Sequence, residues 1–165
     1  DPAACEAVAA RAAEALGPID VLVNNAGVIH RQPVVEQPLA AWEDTFAVNL
    51  RAPFLLARAV LPAMLERGSG RIVNVASISG TLGTPRAVAY CASKWALIGF
   101  TKALSEEVKG RGVVVTALNP GSVDTRMLEG SGFQPDMTPE DVADAIHYLS
   151  VAPPAIAGAA LDFFG

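Results

Sequence analysis

Short apolar runs alternate with helical patterns along this chain, and that alternation constrains the fold more than any other feature. Ile19–Val23, Arg71–Ala76, Val113–Leu118 and Ala159–Phe164 are runs of five or six residues with strand character. The stretches between them carry apolar residues at helical spacing. Strands joined through helices pair in parallel, and a parallel sheet is covered by helices on both faces. The spacing therefore predicts an α/β chain built on a parallel sheet of about four strands.

The elements can be placed in order. Residues 2–16 read as a helix: Asp1 can cap it, Pro2 suits its first turn, and Gly17-Pro18 stops it. Ile19–Val23 is a buried strand ending in Asn24-Asn25-Ala26-Gly27. Residues 39–67 carry helical spacing through Trp42, Phe46, Leu50, Phe54, Val60 and Met64. Pro53 falls inside this pattern and has no N–H for the carbonyl of Asn49, four residues back, so a kink or bulge is expected at Asn49. A long helix is expected over about 87–109, a loop over 125–137, and a capped helix opening at Thr138-Pro139-Glu140-Asp141. No repeat, linker or low-complexity segment interrupts the chain, so residues 1–165 read as one domain.

Composition narrows the function. The chain is 52% hydrophobic and 18% charged, which describes a compact globular protein. Its net charge of −5 argues against a nucleic-acid or anionic-membrane partner. No apolar run approaches the roughly 18 residues of a membrane span, and no signal peptide is visible. Two cysteines, Cys5 and Cys91, are too few for a disulfide framework, so a cytoplasmic location is expected. Cys91 reads as a small packing residue rather than a nucleophile. His30 and His147 lack metal-ligand spacing, and no metal site is expected.

Polar and glycine signals gather where a parallel sheet binds ligands, at the carboxyl ends of its strands. Asn24-Asn25-Ala26-Gly27 follows the first strand, Ser77 the second, and Asn119-Pro120-Gly121-Ser122-Val123-Asp124-Thr125 the third. Tyr90 and Lys94 lie four apart on the next helix, so their side chains share a face. The lysine charge favours phenolate, and on this reading it lowers the Tyr90 pKa from about 10. Ser77 can hydrogen-bond the same substrate oxygen. Asn24 and Asn25 also read as turn residues, Trp42 and Phe46 as core, and Met127, Leu128 and Phe133 as candidate pocket lining.

Taken together, Asn24-Asn25-Ala26-Gly27, Asn49, Gly70-Arg-Ile-Val-Asn-Val-Ala-Ser77, Tyr90-x-x-x-Lys94 and Asn119-Pro-Gly-x-Val-x-Thr125 resemble the successive signatures of the short-chain dehydrogenase/reductase family. The likeness leans toward NAD(P)-dependent reductases such as 3-oxoacyl-[acyl-carrier-protein] reductases. It implies a Rossmann-like doubly wound sheet with NAD or NADP as cofactor. It implies that Tyr90 is the general acid/base and that Lys94 tunes it and holds the nicotinamide ribose. Ser77 would polarise the carbonyl, and the carbonyl of Asn49 would hold a water linking Lys94 to solvent. Asn24, Ala26 and Gly27 would lie along the cofactor, with Pro120, Gly121, Val123 and Thr125 on the nicotinamide. Of Ser77 and Ser79, the thirteen residues from Ser77 to Tyr90 match the family. The resemblance also implies a small-molecule or carrier-bound carbonyl or alcohol as substrate. It implies a homodimer or homotetramer paired through the helices near 50–67 and 87–109.

The family's Gly-rich TGxxxGxG loop has no counterpart here. About 60 residues of an N-terminal dinucleotide-binding half, two βα units of some 30 each, are expected to be missing. The strand at Ile19 would then become an exposed apolar edge. Two readings stand: an oxidoreductase represented by its catalytic half, or a fragment without activity that serves only folding or assembly.

Overall fold

The computed structural model describes residues 1–164. The regular elements run α1 (Pro2–Leu16), β1 (Val21–Asn24), α2 (Leu39–Phe46), a π-helical turn (Ala47–Arg51), α3 (Ala52–Arg67), β2 (Gly70–Val75), α4 (Val88–Glu107), β3 (Val113–Pro120), α5 (Pro139–Val151) and β4 (Ala160–Phe163). The four strands form one parallel sheet in the order β1-β2-β3-β4, with Val21 opposite Arg71, Gly70 opposite Val113, and Ala117 opposite Ala160. The expected Rossmann-like sheet is therefore present. Strand boundaries shift by one or two residues. β1 starts at Val21 rather than Ile19, and β3 runs on to Pro120.

Successive strand residues face opposite layers. Ile72 and Val115 pack with Ala57, Val60 and Met64 of α3 and Leu104 of α4, and Ala9 brings α1 onto the same cluster. Val73 and Leu118 pack on the other face with Val142 and Leu149 of α5. β3 is buried along its whole length. β1 is the edge, and Val21 and Val23 are each 39% exposed, as its apolar sequence and edge position require. Trp42 departs from expectation: it stacks on Phe46 at 4.7 Å between ring centroids but stays 38% exposed instead of entering the core.

Local chemistry accounts for the element ends. Asp1 accepts from the Ala3 N–H at the start of α1. Thr138 and Asp141 form a reciprocal capping box at α5, and the backbone and hydroxyl of Thr138 hold the Asp141 carboxyl below its ordinary pKa. Pro53 acts as expected. The helix that begins at Leu39 widens into a π turn over Ala47–Arg51, centred on Asn49, before α3 continues. One expectation needs correcting. Leu39–Arg67 is 29 residues long with a window of mean hydropathy 1.3, so by length and composition alone it is long and apolar enough to cross a membrane. Its apolar side chains Leu55, Val60 and Met64 are instead buried in the protein.

Two glycines in the α4–β3 turn make a matched pair. Gly110 and Gly112 both have positive φ, at 74° and 78°. A Cβ on Gly110 meets open space, whereas one on Gly112 runs into the Gly68 carbonyl oxygen. Gly110→Ala is expected to cost about 1 kcal/mol, the ordinary penalty for a left-handed residue. Gly112→Ala is expected to cost at least about 2 kcal/mol more, because backbone must move. Urea unfolding of the two variants checks the difference.

Candidate active site

The carboxyl ends of β1, β2 and β3 open on a cleft of about 620 Å³. Asn25, Ala26 and Gly27 line it from the β1 side, Ser77 and Ser79 from β2, and Pro120, Gly121, Val123 and Thr125 from β3, with Tyr90 and Lys94 reaching in from α4. Met127, Leu128 and Phe133 supply an apolar wall from the loop after β3. The sheet thus brings together nearly all the residues singled out along the sequence. Asn49 is not on the wall of the cleft, and neither is Asn24. Asn24 is the last residue of β1, and its amide turns inward to donate to Asn74 Oδ1 at 2.8 Å. Asn74 in turn donates to Thr101 on α4 at 2.9 Å. Its neighbour Asn25 is the asparagine that faces the cleft.

Lys94 is the buried charge of the site, 3% exposed. Its Nζ donates to the Val75 carbonyl, the last residue of β2, at 2.8 Å. That bond uses one of three ammonium donors. Burial costs the cation more than one carbonyl returns, and the pKa falls to about 8. The Tyr90 ring centroid lies 5.6 Å from Nζ. Tyr90 is also buried, and its pKa is raised, not lowered. Desolvation of the phenolate is the largest cause. The Ser77 hydroxyl and the Arg31 charge oppose it, and Cys91 adds to it. The expectation that the Lys94 charge pulls the phenol down is corrected. At this separation, burial outweighs any such attraction.

Ser77 Oγ accepts from the Ser79 N–H at 3.1 Å, which fixes the hydroxyl at the strand end. Ser79 Oγ is paired with Thr84 Oγ1 at 2.8 Å. Of the two serines, Ser77 is the one that acts on the phenol. Asn49 is completely buried in the π turn. Its side chain accepts from the Val28 N–H at 2.8 Å, donates back to the Val28 carbonyl at 2.9 Å, and donates to Ser93 Oγ at 3.0 Å. It therefore clamps the loop after β1 to α4. The sequence signals only the backbone carbonyl of Asn49 and gives no sign of this side-chain role. Gly27 sits against the clamp: a Cβ there would stand 3.4 Å from Asn49 Oδ1 and 3.6 Å from Lys94 Nζ.

Arg31 is a further site residue that the motifs do not mark. It lines the cleft and donates to the Met127 carbonyl at 3.3 Å. The available signal is a charged residue four positions past Gly27, on a loop leaving the ligand edge of the sheet. His30 pairs with Asp44 at 2.9 Å, an ordinary surface contact. Among the described residues no group of three or more His, Cys, Asp or Glu side chains is placed to hold a metal.

Comparison with known proteins agrees with this arrangement. The family model for short chain dehydrogenases matches residues 1–135. The chain belongs to the short-chain dehydrogenase family. It is 38% identical over 146 residues to the 3-oxoacyl-[acyl-carrier-protein] reductase of Synechocystis sp., covering 83% of this chain and 59% of that one. It is 44% identical over 130 residues to the NAD(+)-dependent 2-dehydro-3-deoxy-L-rhamnonate dehydrogenase of Sphingomonas sp., covering 78% of this chain and 52% of that protein. Among solved structures, it superposes on a protein from Beutenbergia cavernae assigned as an NAD(P)-dependent gluconate 5-dehydrogenase, with NADP bound. There the TM-score is 0.87 at 39% identity, over 96% of this chain and 69% of the other. The chain spans about half the length of the curated relatives it matches.

As a short-chain dehydrogenase, the chain sacrifices stability to keep Lys94 buried. The lysine is depressed from 10.5 to about 8 in the fold, so between these values the unfolded chain binds more protons and stability rises with pH. Lys94→Met is expected to be more stable than the parent at neutral pH, by up to about 3 kcal/mol at 1.36 kcal/mol per pH unit. The gap should close as pH climbs from about 8 to 10.5. Urea unfolding of both proteins across this range measures it.

Proposed function

We propose that this chain carries the catalytic half of an NAD(P)-dependent oxidoreductase that interconverts a ketone and a secondary alcohol. One observation carries the reading. Tyr90 and Lys94, both buried, meet Ser77 at the carboxyl edge of β2, inside the cleft. Burying an ammonium and a phenol side by side is costly, and chemistry at that spot offsets what stability does not.

The geometry suggests a role for each group. In the reducing direction, the Ser77 hydroxyl hydrogen-bonds the substrate carbonyl oxygen, and the Tyr90 phenol gives that oxygen its proton. The raised pKa keeps Tyr90 protonated through neutral pH, which suits a donor. In the oxidising direction, Tyr90 must first be phenolate, which Ser77, Arg31 and Lys94 would stabilise, and it returns to the phenol on taking the alcohol proton. Lys94, fixed by Val75, keeps two N–H donors for a ribose hydroxyl and for the proton relay. The Asn49 carbonyl, freed by Pro53, is the proposed seat of a relay water.

The residues fit the nicotinamide end of a dinucleotide. Gly27 leaves open the space beside Lys94 that a side chain would fill. Ala26 and Gly27 would flank the ribose, and Pro120, Gly121, Val123 and Thr125 the nicotinamide. When bound, NAD or NADP supplies or accepts the hydride. The relatives named as NAD(+)- or NAD(P)-dependent dehydrogenases support this assignment. The reading extends to a cytoplasmic enzyme without nucleic-acid or membrane partners, supported by the negative charge and by two free cysteines. It also extends to a homodimer or homotetramer, supported by exposed apolar residues on α3 and α4, Phe54 and Trp95.

Fluorescence titration with NADH and NADPH, followed by turnover of carrier-linked 3-ketoesters and of small alcohols, tests the reading. Tyr90→Phe should lower turnover by about 10²- to 10⁴-fold while cofactor affinity stays within a few-fold. No binding at millimolar cofactor would leave the chain as a non-catalytic assembly module. Turnover retained in Tyr90→Phe would remove the role given to Tyr90.

A further inference from the structure

The charges lining the cleft have one sign. Arg31, Lys94 and Arg126 line it, and among the described residues no Asp or Glu does. Lys94 is accounted for by the reading above. Arg126 is exposed on the loop after β3. Arg31 is different. It is partly buried, it leaves the loop after β1, and its guanidinium reaches across the cleft mouth to the Met127 carbonyl at 3.3 Å. Among the described residues no carboxylate pairs with it. It lines the same cleft as Ser77 and Tyr90, and its charge is felt at the Tyr90 phenol. A guanidinium has five N–H donors, and the contact to Met127 leaves most of them uncommitted.

We propose that Arg31 binds an anionic group of the substrate, and that the substrate is a hydroxy or keto acid whose carboxylate sits on this guanidinium. The proposal rests on the oxidoreductase reading and narrows its substrate class. A partly desolvated cation without a protein counter-charge is unfavourable, and an incoming anion removes that cost. The planar fork matches the two oxygens of a carboxylate. Placed so, the carboxylate orients the reacting carbon toward Ser77 and Tyr90, which line the same cleft as Arg31. The pair Ser79 and Thr84, lining the same cleft, offers hydroxyls to further substrate oxygens. Nothing in this placement calls on the cofactor phosphates. In a dinucleotide the pyrophosphate is separated from the reacting nicotinamide carbon by a ribose.

The test uses matched pairs. A C4–C6 series of hydroxy acids is assayed with NAD and NADP, each acid against its own primary amide, on the parent chain and on Arg31→Gln and Arg31→Lys. At least one acid should exceed its amide in kcat/KM by roughly 10- to 100-fold, the range of a charge-assisted hydrogen-bond pair. Arg31→Gln should erase most of that ratio, and Arg31→Lys should restore part of it. Acid and amide used equally, or both reduced alike by Arg31→Gln, would overturn the proposal. A phosphorylated alcohol preferred over every acid would overturn the carboxylate assignment. Loss of NADPH affinity in Arg31→Gln, with the acid preference intact, would reassign the arginine to the cofactor. If neither these pairs nor the ketoesters and small alcohols are turned over, the oxidoreductase reading fails, and calorimetric titration of the same acids and amides still decides the role of Arg31. Tighter binding of an acid than of its amide, lost in Arg31→Gln, supports it, and no difference refutes it.

Discussion

The geometry of the candidate site depends on one bond, from the Lys94 ammonium to the Val75 carbonyl at the end of β2. A parallel strand ends by leaving carbonyls without strand partners, and here one of them faces a helix rather than water. α4 answers with a lysine. The bond registers α4 against the strand edge, and through the helical spacing of four it also fixes where Tyr90 stands. Move α4 by one residue and both groups leave the cleft. Yet the bond does not cover the cost of burying the charge, as the depressed lysine pKa shows. An uncompensated cation in the core is tolerated because the elements around it are independently stable.

That independence comes from the two apolar layers and from the asparagine clamp. Ile72 and Val115 on one face and Val73 and Leu118 on the other hold the sheet without reference to the site. Asn49 then ties the β1 loop to α4 through Val28 and Ser93. Its position depends on Pro53. By denying the Asn49 carbonyl its helical partner, the proline opens the helix into a π turn. The extra residue of a π turn rotates the downstream helix relative to the upstream one. α2 packs against α4 while α3 packs against β1 and β2. A regular helix could not present Asn49 to Val28 and Ser93 while also packing Leu55, Val60 and Met64 inward.

Much of this is legible in the sequence, for reasons that can be named. Strand and helix periods survive in a chain whose core is mostly Val, Ile, Leu and Ala, so β2, β3, α3 and α4 fall close to where spacing places them. Pro53 has a local and unavoidable effect, so the bulge is readable. Motif residues at strand ends converge because topology forces every carboxyl end of a parallel sheet to the same edge. The features that cannot be read depend on three-dimensional neighbours. The inward turn of Asn24 needs Asn74 across the ladder, fifty residues away. The Asn49 clamp needs Val28. The direction of the Tyr90 shift needs the depth of burial, because a sequence shows the lysine beside the tyrosine but not the water missing around both.

Arg31 belongs with these, since only the folded cleft shows that no acid among the described residues opposes it. It also sharpens a contrast within the molecule. The chain carries a net charge of −5, while every described charged side chain lining the cleft is positive. At distances beyond a Debye length of about 8 Å in physiological salt, both fields are largely screened and an anion gains little from the protein as a whole. Within the low-dielectric cleft, the local cations dominate. Such a surface does not gather anions by long-range steering. It selects among molecules that have already entered, through one guanidinium at short range. Selection of that kind depends weakly on ionic strength and strongly on the placement of Arg31. The contact with Met127 gives that placement its structural meaning, because it ties the arginine to the loop that also supplies the apolar wall of the site.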